Sequence, residues 1–273
     1  MACGRLTAGL VSSAGTVGIK RRQMLLLALA TIGGAASKPA HADLPGTIAR
    51  ARASVLPVGT FSATDSPRFG FRGSGFVVGD GRLVVTNFHV LPAGIEQESA
   101  ARLTVLAGRS GDNVDLRPAR VVASDRQRDL ALLEVDGPAL TALQLEEPGT
   151  AREGQSIVLM GFPIGGALGF SPVSHRGIIA SITTVAMPAP SARQLDPRAI
   201  SRLREGNFEI LQLDATAYPG NSGGPVLDAE NGRVLGIVNM VLVKGSRESA
   251  LSSPTGITYA IPVKQLHDLL RAR

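Results

Sequence analysis

Three residues of the types that perform nucleophilic catalysis stand in separate segments of this sequence. His89 lies in TNFHV, Asp129 in RQRDLALLEV and Ser222 in AYPGNSGGPV. A serine hydroxyl becomes a useful nucleophile when a histidine accepts its proton and a carboxylate orients that histidine. The chain order histidine, aspartate, serine is one of the orders in which such triads occur. We therefore predict that the fold brings these three residues together.

Each of these residues also has an ordinary structural explanation. A histidine near an apolar strand is usually a core residue with a hydrogen-bond partner, and Ser222 could be a hydroxyl in a Gly/Pro loop. Asp129 and the nearby Asp125 could both be turn residues, but Asp129 is preferred because it directly precedes the apolar run LALL. His175, in a loop or at the start of a strand, and His267, in a terminal helix, are predicted to be structural.

Short apolar segments bounded by Gly, Pro, Asp or Asn recur along the chain. Roughly a dozen such segments without alternating helices favour an all-β barrel or sandwich over a parallel sheet. TIARARAS, before the first strand, and VKQLHDLLRAR, at the end of the chain, have helical features. The second has apolar residues at helical spacing, namely Val263, Leu266, Leu269 and Leu270. Residues 187–209 are predicted to be a long surface loop with a short helical piece near PRAISRLRE.

Residues 1–42 are predicted to be a signal peptide that is removed on export. The basic cluster Lys20-Arg21-Arg22 precedes the apolar run MLLLALATIGGAA, and AHA ends at Ala42. These are the basic, apolar and cleavage-site regions of a secretory signal, and the apolar run is short for a membrane span. The arginine pair fits a twin-arginine signal and equally an ordinary basic region, so the export route stays open. We predict a periplasmic or secreted domain, residues 43–273, without stable membrane insertion.

Removal of the signal peptide changes the charge of the chain. Five of the 28 basic residues and none of the 22 acidic residues lie in residues 1–42, so the part from Asp43 onwards has a net charge near +1. No block of Lys and Arg that suits phosphate binding remains, so nucleic acid is not a predicted partner. The single cysteine, Cys3, is also lost, and we predict neither a disulfide nor a thiolate metal site. No metal or cofactor is predicted.

The segments around the three residues resemble the catalytic blocks of the trypsin-like serine proteases, specifically of their bacterial HtrA/DegP-like branch. TNFHV, DLALLEV and PGNSGGPV are similar to those blocks and stand in the same order, and GSGFVV and GITYAIP are similar to the flanking segments. The resemblance covers nearly all of residues 43–273. It implies a chymotrypsin-like, all-β fold of two six-stranded antiparallel barrels, with the active site in the crevice between them.

The resemblance also assigns roles to individual residues. It implies that His89 is the general base and later the general acid, that Asp129 orients it, and that Ser222 is the nucleophile that becomes acylated. The backbone N–H groups of Gly220 and Ser222 would form the oxyanion hole. The small size of glycine fits this role, because the backbone must approach the developing oxyanion closely.

By position in the family pattern, Thr216 and Ala217 belong to the primary specificity pocket, and Val241 and Leu242 form its wall. No acidic residue stands where a trypsin-like pocket places one, so a preference for Lys or Arg is not expected. A small neutral pocket favours short aliphatic side chains. The alternative is that Val241 and Leu242 are core residues.

Two departures from the family pattern lead to further expectations. Asn221 stands where the digestive relatives have an aspartate that pairs with a new N-terminal ammonium, so activity is not expected to depend on a freed N-terminus. HtrA/DegP-like proteins usually carry PDZ domains after the protease domain, and none is predicted here. Oligomerisation is therefore possible but not implied.

The function predicted from these features is exported serine endopeptidase activity on misfolded or unfolded polypeptides. Two alternatives remain at this stage. One is a protease-fold chaperone or binding module with little proteolysis. The other is an esterase with the same triad, because acyl transfer to serine does not itself require an amide substrate.

Overall fold

The computed structural model describes most of the chain after the predicted signal peptide, namely residues 43–92, 102–110, 113–165, 169–185, 208–239 and 256–273. The predicted signal peptide lies outside these residues, as do Val241, Leu242 and nearly all of the predicted surface loop.

The first half of the domain is a closed barrel of six antiparallel strands. They are β1 (Val55–Phe61), β2 (Phe69–Val78), β3 (Leu83–Thr86), β4 (Arg102–Ser110), β5 (Asn113–Asp125) and β6 (Leu130–Val135). Their order around the barrel is β1-β2-β3-β6-β5-β4, and the pairing of Val58 in β1 with Val105 in β4 lies in the ladder that closes it. Closure removes the unpaired edges that a sheet of these apolar segments would otherwise expose.

The second half is another closed barrel of six antiparallel strands. They are β7 (Ser156–Gly161), β8 (Val173–Val185), β9 (Phe208–Asp214), β10 (Pro225–Asp228), β11 (Val234–Asn239) and β12 (Ile257–Pro262). Their order is β10-β11-β12-β9-β8-β7, and the pairing of Val226 in β10 with Leu159 in β7 lies in the closing ladder. The prediction of an all-β fold with two six-stranded barrels is therefore confirmed.

Each barrel has its own apolar core, and a third cluster joins them. Leu133 belongs to the core of the first barrel and Leu213 to that of the second. The joining cluster contains Phe76 and Leu132 from the first barrel and Met160 from the second, all at most 1% exposed. Burial of side chains of this size contributes roughly 1.5–3 kcal/mol each, so the shared cluster holds the barrels in a defined arrangement.

Two helices flank the barrels, as predicted. The first, α1 (Leu44–Ala51), begins three residues before the predicted TIARARAS segment, because Asp43 caps it by accepting the Gly46 N–H at 3.0 Å. Pro45 stands in its first turn, where its fixed φ is compatible with the helix. The second, α2 (Val263–Arg271), buries Leu266 against both barrels. None of the helices among the described residues is long and apolar enough to cross a membrane.

Candidate active site

His89 and Asp129, predicted from the sequence to act together, are in direct contact. His89 lies in a single 3₁₀ turn, Phe88–Val90, which follows β3. Asp129 lies in the turn between β5 and β6, immediately before Leu130. Since β3 and β6 are paired neighbours, their ends bring the two side chains together, and His89 Nδ1 lies 2.6 Å from Asp129 Oδ2. Asp125, the alternative aspartate, instead pairs with Arg128 at 2.7 Å.

The Asp129 carboxylate accepts three hydrogen bonds. Oδ1 accepts the backbone N–H of His89 at 2.8 Å, while Oδ2 contacts His89 Nδ1 and accepts the amide of Asn239 at 2.9 Å. Asn239 is the last residue of β11, so it connects the second barrel to the histidine–aspartate pair of the first. Asn239 was not predicted from the sequence to belong to the site. It is buried, with 3% of its surface exposed.

The backbone of Asp129 is held as firmly as its side chain. Its φ of 56° lies in the left-handed region, where aspartate is tolerated better than most residues. Its carbonyl oxygen accepts the Phe88 N–H at 3.1 Å and the Asn87 amide at 3.0 Å. These bonds compensate for the unfavourable backbone conformation and fix the direction in which the carboxylate points.

The loop that carries Ser222 is bound to the first barrel through strand β2. The Ser74 N–H donates to the Ser222 carbonyl at 2.9 Å, and Ser74 Oγ donates to the Gly220 carbonyl at 2.6 Å. Gly223, with φ 84°, packs so closely that a Cβ there would lie 3.0 Å from the Asn87 nitrogen. Ser222 is thereby placed beside the segment that carries His89. Ser222 is buried, with 5% of its surface exposed, and no hydrogen bond joins its Oγ to Nε2 of His89. In free enzymes such bonds are often long and tighten on substrate binding.

The backbone around Ser222 presents two N–H groups without a protein acceptor among the described residues. These are the N–H groups of Gly220 and Ser222, whereas that of Asn221 donates to the Tyr218 carbonyl at 3.0 Å. The Pro219 carbonyl, which precedes Gly220, accepts the Ile164 N–H at 2.8 Å and so is directed away from these donors. Gly220 has φ 107°, and a Cβ there would lie 2.2 Å from the Phe162 carbonyl oxygen, so only glycine fits.

Asn221 is completely buried, and both polar atoms of its side chain lack a hydrogen-bond partner among the described residues. The side chain lies against Gly161, where a Cβ would be 2.8 Å from Oδ1. A neutral amide tolerates this environment at a lower cost than a carboxylate, which would need a cation beside it. The expectation that no N-terminal ammonium is needed at this position stays a prediction, and the neutral environment is compatible with it.

The residues predicted for specificity differ in their exposure. Thr216 lines an open cleft of about 500 Å³ together with Arg176, Asp214 and other residues of β7, β8 and β9. Ala217 is 8% exposed and packs in the core of the second barrel, with its N–H bonded to Thr258 Oγ1 at 3.1 Å. Neither His89 nor Ser222 lines the cleft, so the cleft itself does not contain the predicted catalytic residues.

The two remaining histidines of the described domain lie away from the histidine–aspartate pair. His267, on α2, has its Nε2 within 2.9 Å of the Glu146 carbonyl oxygen. His175 is on β8, its ring centroid lies 5.9 Å from that of Tyr218, and its buried Nε2 has no hydrogen-bond partner among the described residues. Burial lowers the pKa of His175 below its ordinary value of 6.5. No group of three or more His, Cys, Asp or Glu that could share a metal ion occurs in the described parts of the chain.

The lowered pKa of His175 predicts a loss of stability in acid. Below pH 6.5 the unfolded chain binds a proton at this histidine that the folded chain does not, so the free energy of unfolding falls until the pH reaches the folded-state pKa. We expect His175→Phe to lose less stability than the wild type between about pH 8 and about pH 5 in urea unfolding. For each protein, the free energy of unfolding at the lower pH is compared with that at the higher pH. Equal decreases in the wild type and in His175→Phe would contradict the prediction.

Comparisons with known proteins agree with this geometry. Residues 73–237 match the trypsin-like peptidase domain. The chain is 28% identical over 243 residues to the serine protease PepD of Mycobacterium tuberculosis, covering 85% of this chain and 47% of PepD. It is 27% identical over 197 residues to a probable periplasmic serine endoprotease DegP-like of Pseudomonas fluorescens, covering 72% of this chain and 34% of that protein. It thus spans less than half the length of either relative.

The fold is also that of known proteases. The solved structure of the HtrA-type protease AlgW with a decapeptide superposes with a TM-score of 0.59 at 22% identity, over 84% of this chain and 67% of that one. At this identity the likeness establishes the fold, which is the chymotrypsin-like arrangement of two barrels. Together with the family match over residues 73–237, it shows that this chain belongs to the trypsin-like peptidase family.

Proposed function

We propose that this protein is a serine endopeptidase that cleaves polypeptides through an acyl-enzyme formed on Ser222. The observation that carries the proposal is the 2.6 Å contact of His89 Nδ1 with Asp129 Oδ2. It is supported by the adjacent Ser222 loop, which strand β2 binds through Ser74. The proposal assigns to this chain the activity that the names of its relatives state for them.

The proposed chemistry begins with His89 as the base. Because Asp129 accepts a hydrogen bond from Nδ1–H, the neutral ring has its lone pair on Nε2, which is then able to accept a proton. Nε2 takes the Ser222 hydroxyl proton while Oγ attacks the substrate carbonyl carbon, and the carbonyl π-electrons move onto its oxygen. His89 then gives the proton to the leaving amine as the C–N bond breaks. A water molecule then attacks the acyl-enzyme with His89 again as the base. This step releases the acid product and restores the Ser222 hydroxyl.

The N–H groups of Gly220 and Ser222 form the oxyanion hole in this proposal. Both lack a protein acceptor among the described residues, and the neighbouring carbonyls of Pro219 and Gly220 are engaged elsewhere, by Ile164 and Ser74. Donors held in place before the reaction stabilise the developing charge without reorganisation, and loss of one typically costs roughly 10²–10³ in rate.

The substrates proposed are unfolded or misfolded polypeptides, because a serine between two barrels requires an extended segment of chain to reach it. We further propose that Thr216 and Ala217 contact the side chain on the acyl side of the cleaved bond, with Val241 and Leu242 as the wall. The small neutral pocket inferred from the sequence remains part of this proposal.

Export through a cleaved signal peptide is also proposed, with a periplasmic or extracellular location. The location is supported by the relative from Pseudomonas fluorescens, which is a probable periplasmic serine endoprotease. Asp43, the first residue after the proposed cleavage site, is the N-cap of α1, so cleavage there leaves the helix cap in place. N-terminal sequencing of the exported protein tests the site, and a first residue far beyond Asp43 would contradict it.

Two measurements on the folded protein test the proposed activity. A fluorophosphonate probe is expected to label Ser222, located by mass spectrometry of the labelled peptide, because the probe phosphonylates activated serines. Unfolded casein is expected to be cleaved. Labelling without casein cleavage, but with ester hydrolysis, would favour an esterase. Suppression of aggregation without labelling would favour a chaperone and remove the enzyme proposal.

Asn239 is expected to act as a positioning residue for Asp129. It donates to Oδ2, the oxygen that also contacts His89, so Asn239→Leu removes one donor from the charged carboxylate. A hydrogen bond to a charged group contributes about 1.5–3 kcal/mol, so kcat is expected to fall about 10- to 100-fold with little change in KM. Steady-state kinetics on a fluorogenic peptide measure both constants.

A second variant separates positioning from mere support of the fold. Asn239→Asp places another carboxylate within hydrogen-bond distance of Asp129, where the two share a proton, so the negative charge beside His89 changes with pH and the acid limb of the kcat/KM profile is expected to shift. If Asn239 only supported the fold, its substitution would change the amount of folded enzyme but not the pH at which the acid limb of the kcat/KM profile falls. An unchanged limb in active Asn239→Asp would therefore contradict the positioning role.

A further inference from the structure

The side chain of Ser74 connects the two barrels at the loop that carries Ser222. Ser74 lies on β2 of the first barrel and is completely buried. Its Oγ accepts the N–H of Phe162, the residue after β7, at 3.0 Å and donates to the carbonyl oxygen of Gly220 at 2.6 Å. Because a backbone nitrogen can only donate, the hydroxyl proton must point to Gly220. The hydroxyl therefore bridges two backbone groups of the second half of the domain.

The backbone of Ser74 is itself held in place. Its N–H donates to the Ser222 carbonyl at 2.9 Å, and its carbonyl oxygen accepts the hydroxyl of Thr86, on β3, at 2.8 Å. The residues on either side of Ser74 are paired with strand β1. The hydroxyl thus extends from a fixed point of a closed barrel, which makes it a more precise support than a side chain on a loop.

Gly220 is the residue of the loop that most needs such a support. Its φ is 107°, and glycine has more conformational freedom to lose on folding than any other residue. The peptide unit before it carries the Gly220 N–H, and the bond of the Ile164 N–H to the Pro219 carbonyl at 2.8 Å holds that unit. The Ser74 hydroxyl holds the peptide unit after it. Both peptide units that meet at Gly220 are therefore restrained from outside the loop.

The side chain and the backbone of Ser74 restrain different parts of the loop. The hydroxyl bonds the Gly220 carbonyl, whereas the backbone N–H bonds Ser222 and does not depend on the side chain. The other bond of the Gly220–Asn221 peptide unit, from its N–H to the Tyr218 carbonyl, lies within the loop and would move with it. Removal of the hydroxyl would therefore release Gly220 and leave the nucleophile anchored.

We propose that Ser74 is a positioning residue for the oxyanion hole, and that its hydroxyl holds Gly220 in the orientation in which its N–H meets the substrate oxygen. This inference rests on the proposed endopeptidase function and deepens it, since it adds a residue of the first barrel to a hole whose donors belong to the Ser222 loop. A donor oriented before the reaction stabilises developing charge without reorganisation. The hydroxyl is therefore expected to affect the transition state more than the bound substrate.

Steady-state kinetics of Ser74→Ala on a fluorogenic peptide test this role. Rates are divided by the concentration of chains that the fluorophosphonate labels at completion, so that misfolded chains are not counted and a partly folded preparation still gives a value. We expect kcat per labelled chain to fall about 10- to 100-fold, because a misplaced donor costs less than the roughly 10²–10³ lost with a deleted one. KM is expected to change by less than about threefold.

A transition-state analogue gives a second measurement. Ser222 Oγ adds to the carbonyl carbon of a peptidyl trifluoromethyl ketone, its proton passes to His89, and the former carbonyl oxygen becomes an oxyanion. The affinity of Ser74→Ala for this inhibitor is expected to fall by about the same factor as kcat/KM. A role of Ser74 in folding alone would lower the labelled fraction and leave both the inhibitor affinity and kcat per labelled chain unchanged.

Two further variants are the controls. Ser74→Thr keeps the hydroxyl and is expected to recover most of the kcat that Ser74→Ala loses. Thr104→Val removes another buried hydroxyl of the first barrel, which donates to the Arg102 carbonyl at 3.0 Å, and is expected to keep the wild-type kcat per labelled chain.

An unchanged kcat per labelled chain or an unchanged inhibitor affinity in Ser74→Ala would overturn the positioning role. Equal losses in Ser74→Ala and Ser74→Thr, or an equal loss in Thr104→Val, would do the same. A wild type that is neither labelled by the fluorophosphonate nor able to cleave any peptide would instead overturn the proposed activity, and this inference with it.

Discussion

Ser222→Ala is expected to lower kcat for peptide hydrolysis by about 10⁶-fold, the scale on which nucleophile variants of triad proteases lose activity. The alanine side chain cannot form the acyl-enzyme. The fold is expected to survive, because Ser222 binds β2 through its carbonyl oxygen and alanine keeps that bond to Ser74. Circular dichroism and thermal unfolding should therefore match the wild type, while fluorogenic peptide turnover and fluorophosphonate labelling should disappear.

The matched control is Ser124→Ala, an exposed serine on β5, which is expected to leave the rate unchanged. The double variant His89→Ala/Ser222→Ala gives a second check. Because the base acts only through the nucleophile, it should lose hardly more activity than Ser222→Ala alone. If folded Ser222→Ala turned over peptide at a rate within about tenfold of the wild type, Ser222 would not be the nucleophile.

The strands could be predicted from the sequence because apolar runs and the turn residues that bound them are local signals. The apolar segments, of which VLPVGTF is the first and GITYAIP the last, each overlap a strand of the structure, but the strand bounds differ from the segments: β2 begins at Phe69, before GSGFVV, and β3 ends at Thr86, before His89. The start of α1 was misplaced by three residues, since the cap depends on Asp43 and the following proline rather than on apolar spacing. The two-barrel closure came from the family resemblance, because pairing of β1 with β4 is a long-range contact.

The site was predictable only where its residues stand in recognisable segments. His89 and Asp129 were identified and do meet, but Asn239 was not, although it contacts the same carboxylate. It lies at the end of an ordinary apolar strand, and a buried asparagine there has no short-range signal. The contact of Phe71 with Phe162 was missed for a related reason: the two residues belong to different barrels, and only tertiary packing places them together at Gly220.

Asp129→Asn is expected to lower kcat by about 10⁴-fold with little change in the fold, because the amide imposes the wrong histidine tautomer. If its NH₂ replaces Oδ2, it must donate to Nδ1 of His89, which moves the ring proton to Nε2 and removes the lone pair that Ser222 needs. In that orientation the Asn239 NH₂, which donates to Oδ2 in the wild type, would meet the new NH₂, which is also a donor. If its NH₂ replaces Oδ1, it faces the His89 backbone N–H, which is also a donor. Asparagine tolerates the left-handed φ of this position, so the backbone need not change.

Asp125→Asn is the matched control for this prediction, since it makes the same chemical change four residues earlier. Asp125 bonds the backbone and guanidinium of Arg128, at 2.9 Å and 2.7 Å, rather than His89. We expect it to change kcat by less than about threefold, in line with partly exposed ion pairs that contribute 1 kcal/mol or less. Steady-state kinetics from about pH 6 to about pH 9 measure both variants. Equal losses in the two would show that a negative charge near the histidine matters more than its hydrogen bond, and would remove the tautomer argument for Asp129.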